Sequence, residues 1–327
     1  METILRLFII FLSVFAAFIP MVAYLLFIWW MDRYLRQPLW MVVAVFFWGA
    51  CGAIALGIFG SQILEMPMAR VFGNEATNAL GAVFVAPFVE EISKGAILLL
   101  LAMRVDFNSV ADGIVFGAAA GLGFGMTENF LYFTQVYTQS GFHAWMENVY
   151  MRTLYSAVMH CVASSTFGMS IGFAKFRRSG NGPLIVVAGL LSAMALHSFW
   201  NLCMVVGGAL KSGWIMEIGF GVIPFLVLLM LALYQISLYY EGKIIHKELQ
   251  EEAEMGTIPP SLVPVLSSYF KRRQSKWYPA GVNQDHYVSL AMSIAFKRQQ
   301  WKVASARRRK KLESSLNELR RQILGMV

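Results

Sequence analysis

Long apolar runs separated by short polar stretches fill the first 240 residues of the chain. They predict transmembrane helices at residues 7–30, 40–64, 77–103, 109–136, 149–174, 183–207 and 214–239. Each run can cross about 30 Å of hydrocarbon, because an α-helix rises about 1.5 Å per residue. The pattern therefore predicts an all-α, polytopic membrane protein with about seven transmembrane helices.

The first run is not typical of a cleaved signal peptide. Its apolar stretch is too long, and Trp29, Trp30 and Met31 follow where a small-residue cleavage site would stand. Tryptophan is enriched where a helix leaves the bilayer. We expect this segment to remain as a transmembrane helix.

The pattern changes after residue 240. Residues 241–254 predict a polar helix that continues the last span, and prolines at 259, 260 and 264 end it. Residues 261–271 predict one short helix, and residues 284–324 predict a longer one. The sequence thus predicts a transmembrane bundle at 1–240 with a buried polar site and a basic, helical, cytoplasmic tail at 241–327.

Composition agrees with a membrane protein. Hydrophobic residues make up 57% of the 327 residues, charged residues only 14%, and the mean hydropathy is +0.58. Soluble domains carry about 25% charged residues, so this chain departs from that class. The three cysteines fall inside predicted spans without metal-type spacing, and we expect no disulfide framework.

The charge is divided unevenly along the chain. Residues 1–240 hold 11 Lys/Arg and 11 Asp/Glu, whereas residues 241–327 hold 16 and 8, which gives the whole net charge of +8. With the N-terminus outside, six basic residues lie in inner loops and the basic tail joins the same side. Four basic residues lie on the outer side, namely Arg6, Arg70, Arg152 and Lys211. The positive-inside rule therefore predicts an outside N-terminus and a cytoplasmic C-terminus.

The basic run at 307–311 has two interpretations. A solvated helix face, or one that contacts anionic lipid, is the simpler interpretation. Nucleic-acid binding is the more specific interpretation, but no recognition motif with interleaved aromatic residues supports it. We expect anionic lipids and no nucleic acid as partners of the tail.

Polar residues inside the predicted spans are few, and each needs a reason, because charge is costly in hydrocarbon. On the predicted topology they occupy a layer roughly 10 Å thick in the outer half of the bilayer. Stripes of small residues at spacing four accompany them, so they lie on faces where helices pack closely. The set comprises Glu90, Glu91, Lys94, Glu128, Asn129, His160, His197 and Asn201.

Each of these residues alone has a structural explanation, such as a hydrogen bond in helix packing or an ion pair between Glu90 and Lys94. Together, on four spans at similar depth, they indicate a functional site. Carboxylate and imidazole groups can activate a water directly or bind a divalent metal that does so. The usual His-Glu-x-x-His zinc helix and a central aspartate pair are both absent from the sequence.

Four short motifs occur in order on successive predicted spans. They are Glu90-Glu91-x-x-Lys94, Phe124-x-x-x-Glu128, His160 and His197-x-x-x-Asn201. This series resembles the PrsW family of intramembrane proteases, which is related to the group that contains the CAAX prenyl endoproteases. The resemblance covers about residues 75–210 and leaves the tail unexplained.

The resemblance implies hydrolysis of a peptide bond within a prokaryotic cytoplasmic membrane. The implied substrate is a membrane-anchored protein, such as a regulator of the anti-sigma type. In the CAAX relatives the second motif ends in histidine, where this chain has Glu128. The extra carboxylate favours a divalent metal such as zinc and argues against a prenylated substrate, while a metal-free, glutamate-activated water stays open.

Residue roles follow as expectations. Glu91 is a water activator or ligand, Glu90 pairs with Lys94 or is a second ligand, and Asn201 stabilises the oxyanion. Asn129 either supports another site residue or makes a simple packing hydrogen bond. The predicted catalytic set is Glu90, Glu91, Glu128, His160, His197 and Asn201, and the predicted metal ligands are Glu91, Glu128, His160 and His197.

Two other function classes fit the same residues. Buried Glu and His also form the ion or proton paths of transporters, although no inverted repeat is visible. A non-catalytic membrane scaffold could use the polar residues for packing alone.

Overall fold

The computed structural model describes residues 2–32, 34–104, 107, 109–175 and 180–326, and this part of the chain contains no β-strand. The helices are α1 (Glu2–Met31), α2 (Leu39–Phe47), α3 (Ile54–Phe72), α4 (Asn74–Leu80), α5 (Ala86–Ala102), α6 (Val110–Met151), α7 (Ala157–Lys175), α8 (Gly182–Ala209), α9 (Gly213–Glu254), α10 (Val263–Leu266), α11 (Gln284–Val303) and α12 (Ala306–Leu324). The predicted all-α membrane fold is confirmed.

Five segments of the described residues are long and apolar enough to span a membrane. One of them, Val110–Lys175, has 66 residues and is kinked at Gly141, where φ is 80°. The predicted span at 77–103 is helical but carries three charged residues and is not among the five. The number of seven spans therefore stays a prediction. The other four segments are Ile4–Met31, Leu39–Phe72, Gly182–Ala209 and Gly213–Glu254.

The chain divides into two compact units. The first comprises Met1–Met31, Pro38–Ala174 and Asn181–Ala232, and the second comprises Asp32–Gln37, Lys175–Gly180 and Leu233–Val327. Helix α9 begins in the first unit and ends in the second.

Helix α6 is the centre of the first unit. Every residue of α6 from Ala111 to Gly125 is buried, and α7 packs along its glycine face. A Cβ atom at Gly113 would collide with the backbone of Gly168, and one at Gly117 would collide with the backbone of Ser164. The predicted close packing along these small-residue faces is confirmed, and it brings the polar residues of α6 and α7 together.

In the described residues, three π-helical turns interrupt the helices of the first unit, at Trp48–Ala53, Gly81–Val85 and Arg152–Ser156. A π turn accommodates an extra residue and disturbs the regular backbone ladder, and such turns are frequent at functional sites. Two backbone carbonyls in these turns accept hydrogen bonds from other helices. Thr127 Oγ1 donates to the carbonyl of Ala50 (2.8 Å), and Asn201 Nδ2 donates to that of Ala82 (2.8 Å).

The second unit is built around the end of α9, α10 and α11, with α12 packed against them. The expectation of one helix over residues 284–324 is wrong, because α11 ends at Val303 and α12 begins at Ala306. Ala304 and Ser305 are extended, with ψ of 152° and 158°, and this lets α12 fold back onto α11. The predicted helix at 261–271 shortens to α10 with flanking 3₁₀ turns.

Charged side chains tie α9, α11 and α12 together. Arg298 contacts Glu248, Glu251 and Glu252, and Arg320 Nη2 lies 2.6 Å from Glu252 Oε1. Lys302 Nζ lies 2.7 Å from Glu248 Oε1. Because Glu252 is fully buried, its two arginine partners compensate a charge that would otherwise be unpaired.

We expect the Gly117→Ala substitution to destabilise the first unit by about 1–3 kcal/mol, because the new methyl group meets backbone that has no alternative rotamer. Gly221→Ala is the matched control, since a Cβ atom there meets nothing within 4 Å. Thermal unfolding of both variants in detergent measures the difference. Equal melting temperatures would contradict the close approach of α6 and α7.

We expect Glu252→Gln to destabilise the second unit by about 3 kcal/mol, because it leaves two arginines facing a buried neutral group. Glu318→Gln, which removes an exposed pair with Arg321, should change stability by less than about 1 kcal/mol. The rate of tryptic cleavage within 284–324, followed against temperature, distinguishes the two. Comparable cleavage of both variants would show that the network adds no stability.

Candidate active site

Helix α5 brings three charged residues into the first unit. The side chain of Lys94 is completely buried, and its Nζ lies 2.5 Å from Glu91 Oε1 and 3.8 Å from Glu90 Oε2. The ring of Phe124 lies beneath the same ammonium group, 4.4 Å from its centroid. The main partner of Lys94 is therefore Glu91, and not Glu90 as the spacing of four suggested.

His160 on α7 joins Lys94 to α6. Its Nδ1 lies 3.1 Å from Lys94 Nζ, and its Nε2 lies 2.7 Å from Glu128 Oε2. An ammonium group can only donate, so Nδ1 accepts from Lys94 and Nε2–H donates to Glu128. This pattern fixes both the tautomer and the orientation of the ring.

Glu128 is also held by Arg152 from the π turn before α7. Arg152 Nη2 lies 2.6 Å from Glu128 Oε2, and Arg152 Nε donates to Asn129 Oδ1 at 3.0 Å. Its guanidinium stacks on the ring of Tyr132 at 3.8 Å. Arg152 is thus part of the site, although its place in the hydropathy pattern indicated a residue on the outer side of the membrane.

His197 on α8 completes the cluster. Its Nδ1 lies 3.0 Å from Glu91 Oε1, and its Nε2 lies 3.8 Å from Glu90 Oε2. Glu91 Oε2 accepts from Ser164 Oγ at 3.2 Å. Glu91 is therefore bound by groups on three helices, which suits a residue that orients its neighbours.

Glu90 differs from Glu91 in the hydrogen bonding of its carboxylate oxygens. Glu90 Oε2 is buried and has no hydrogen-bond partner in the described part of the chain. One ligand atom each from Glu90, His160 and His197 lies within 4.8 Å of the others. A buried, unsatisfied carboxylate oxygen beside two imidazoles is an arrangement that suits a cation.

The formal charge of the cluster agrees with a cation site. Three glutamates face two cations, Lys94 and Arg152, which leaves −1 when both histidines are neutral. A net negative charge buried between membrane helices favours a bound cation. Carboxylate and imidazole are also the oxygen and nitrogen ligands that zinc accepts.

Five of the six residues predicted to be catalytic come together, namely Glu90, Glu91, Glu128, His160 and His197. The sixth, Asn201, donates a hydrogen bond from Nδ2 to the carbonyl oxygen of Ala82, and this contact holds α8 against a π turn. Of the predicted metal ligands, only the two histidines belong to the group with converging ligand atoms; Glu90 takes the place of Glu91 and Glu128. The roles of all six stay predictions.

A family model for PrsW family intramembrane metalloproteases matches residues 37–233 of this chain. The chain belongs to the PrsW family. The matched range contains every residue of the buried cluster and ends before α10. As a member of this family the protein is an intramembrane peptidase of the metalloprotease type, and family membership does not favour a transporter or a scaffold.

Curated relatives agree with this assignment. Protease PrsW of Halalkalibacterium halodurans is 29% identical over 65% of this chain and 90% of its own length. Protease PrsW of Bacillus subtilis is 26% identical over 65% and 88%, and that of Oceanobacillus iheyensis is 25% identical over 71% and 97%. No solved structure matches the chain.

We expect Lys94→Met to destabilise the first unit by about 3–5 kcal/mol, because it leaves three buried carboxylates with one cation. Adding Glu91→Gln restores the formal charge of −1, so the double variant should recover much of that stability. Thermal unfolding of the two single variants and the double variant in detergent gives the coupling energy. Simple additivity would show that Lys94 and Glu91 do not depend on each other.

Proposed function

We propose that this PrsW-family peptidase cleaves a membrane-anchored protein in the outer half of the bilayer, with a zinc ion held by Glu90, His160 and His197. To offer the ion a ring nitrogen, His160 exchanges one of its two hydrogen bonds, to Lys94 or to Glu128, for the metal. The converging ligand atoms of these residues, together with the unsatisfied Glu90 Oε2, carry the proposal. Ligands around zinc stand roughly 3.3 Å apart. His197 Nε2 and Glu90 Oε2 are 3.8 Å apart, and all three ligand atoms lie within 4.8 Å of one another, so closing around the ion needs side-chain shifts of about 1 Å.

Glu91 positions the site. By accepting from His197 Nδ1 it leaves Nε2 of that ring unprotonated and directed at Glu90. A carboxylate behind a metal-binding histidine fixes the ring and raises its basicity. Glu91 is therefore a positioning residue in this proposal.

Glu128 is the group that takes and returns a proton. It is the most exposed carboxylate of the cluster, with 18% of its side chain accessible, and it contacts His160. Arg152 holds it in place without covering it. A divalent ion held by Glu90, His160 and His197 would supply a Lewis acid beside the scissile carbonyl and the attacking water. Glu128 removes the proton from that water and delivers it to the leaving amine.

The proposed orientation follows from charge. An outside N-terminus places the cluster in the outer half of a bacterial cytoplasmic membrane, which agrees with the bacterial origin of the relatives. The resemblance to PrsW proteases implies a membrane-anchored regulator, such as one of the anti-sigma type, as substrate. The exposed basic residues of α12, Arg309, Lys310 and Lys311, face solvent and suit anionic lipid headgroups.

We expect purified protein to contain about one zinc ion per chain by elemental mass spectrometry. Glu90→Gln and His197→Ala should each remove most of it, since each deletes one proposed ligand. His143→Ala is the control, because His143 is exposed and lies outside the cluster. Full zinc occupancy in Glu90→Gln would exclude Glu90 as a ligand.

In cells, the same Glu90→Gln variant should cause one or more single-pass membrane proteins to accumulate uncut. Glu90→Gln brings the cluster to formal neutrality, so its fold should be retained. A comparison of membrane proteomes identifies the uncut protein, and cleavage by the purified enzyme verifies it. A folded Glu90→Gln variant without any accumulating protein would contradict the proposed function.

A further inference from the structure

A cavity of about 330 Å³ lies in the first unit next to the buried cluster. Much of its lining is apolar and comes from the end of α8 and the start of α9, including Trp200, Met204, Met216 and Phe220. The polar part of the wall includes Asn148 and Arg152, which both precede α7.

The cavity and the cluster are linked through α8 and through Arg152. On α8, His197 of the cluster is followed by Trp200, three residues on, and by Met204, four residues after that, and both line the cavity. Residues three or four apart share a helix face. Arg152 itself lines the cavity and contacts Glu128.

Asn148 contributes a hydrogen-bond acceptor to the wall of the cavity. Its Oδ1 is buried and has no hydrogen-bond partner within the described residues. Leaving such a group unsatisfied costs about 1–3 kcal/mol, so a buried acceptor that lines a cavity points to a donor on a ligand. A ligand that fills this largely apolar space satisfies the acceptor when it brings an N–H or O–H group.

The apolar wall has a defined shape. The ring of Tyr155 lies 4.9 Å from that of Phe220 and 6.4 Å from that of Trp200, and the latter two are 5.8 Å apart. Stacked aromatic rings form a firm surface, while Met204 and Met216 can adapt to different shapes. This combination suits a large apolar side chain of variable form.

We propose that this cavity binds an unwound stretch of the membrane-anchored substrate, with one apolar side chain against Trp200 and Phe220 and one backbone N–H donated to Asn148 Oδ1. The proposal rests on the proposed function, because it identifies how the same site holds its substrate. A helical segment uses its N–H groups internally, so only unwound backbone can supply this donor. A lipid acyl chain has no such donor, which favours peptide.

Photo-crosslinking in cells tests the occupant. The photoreactive amino acid p-benzoylphenylalanine replaces Met204 in a chain that also carries Glu90→Gln, so that bound substrate is not cut. The control places it at Leu228, which is exposed on α9 and does not line the cavity. We expect the protein that accumulates uncut to be crosslinked from position 204 and not from position 228.

Other results overturn the proposal in distinguishable ways. If the uncut protein accumulates but is crosslinked equally from both positions, or only lipid is captured from position 204, the cavity does not bind substrate and the proposed function stands. If no uncut protein accumulates, the proposed function itself fails, and the cavity loses its proposed occupant with it.

The role of Asn148 is tested separately with the active enzyme and the substrate so identified. Asn148→Ala should slow cleavage about tenfold, mainly through a higher KM, while zinc content stays at the level of the unsubstituted protein. Gln139→Ala, an exposed polar residue of the same segment, should have no effect. Unchanged kinetics in Asn148→Ala would show that Oδ1 does not bind the substrate backbone.

Discussion

The buried ammonium group of Lys94 is the constraint on which the site depends. A lysine without solvent access between membrane helices must be surrounded by acceptors and anions. Glu91 on the same helix supplies the nearest anion, and His160 supplies an acceptor from α7. Because Glu91 also accepts from His197 and Ser164, one ion pair connects α5 with α7 and α8.

This pairing requires helices that approach very closely. Where α6 meets α7, the backbone of one helix contacts the backbone of the other, as at Gly113 and Gly168. Small residues permit this approach in lipid, where no hydrophobic effect drives helices together. The short distance brings His160 within reach of Glu128, so the glycine face and the polar cluster are two parts of one arrangement.

Much of this could be predicted from the sequence. Apolar runs indicate the membrane helices, and spacing-four stripes identify the faces that carry Glu91, His160 and His197. Periodicity cannot decide between adjacent residues, because Glu90 and Glu91 differ by about 100° around a helix whose neighbours are unknown. The spacing therefore indicated Glu90, which does pair with Lys94 at 3.8 Å, but not Glu91, which is the closer partner at 2.5 Å.

Arg152 was missed for a related reason. Hydropathy places it at the end of a run, where an arginine normally reaches water, and only the tertiary fold shows the carboxylate that it contacts. The break between α11 and α12 has no proline or glycine to mark it. The chain turns there because α12 finds apolar neighbours by folding back, through Leu316 and Ile323.

The three π turns make the length of these helices, and not only their composition, a determinant of the site. Each lies in a helical segment that leads to or packs beside the cluster, and Arg152–Ser156 directly precedes the turn that carries His160. Because a π turn accommodates one extra residue, removing a residue from the turn itself would return it to a regular α turn, whereas removing one from the α-helical part of the same segment would rotate everything after it by about 100° relative to everything before it. A change in length should therefore be tolerated at the π turns and not in the α-helical stretches between them and the cluster.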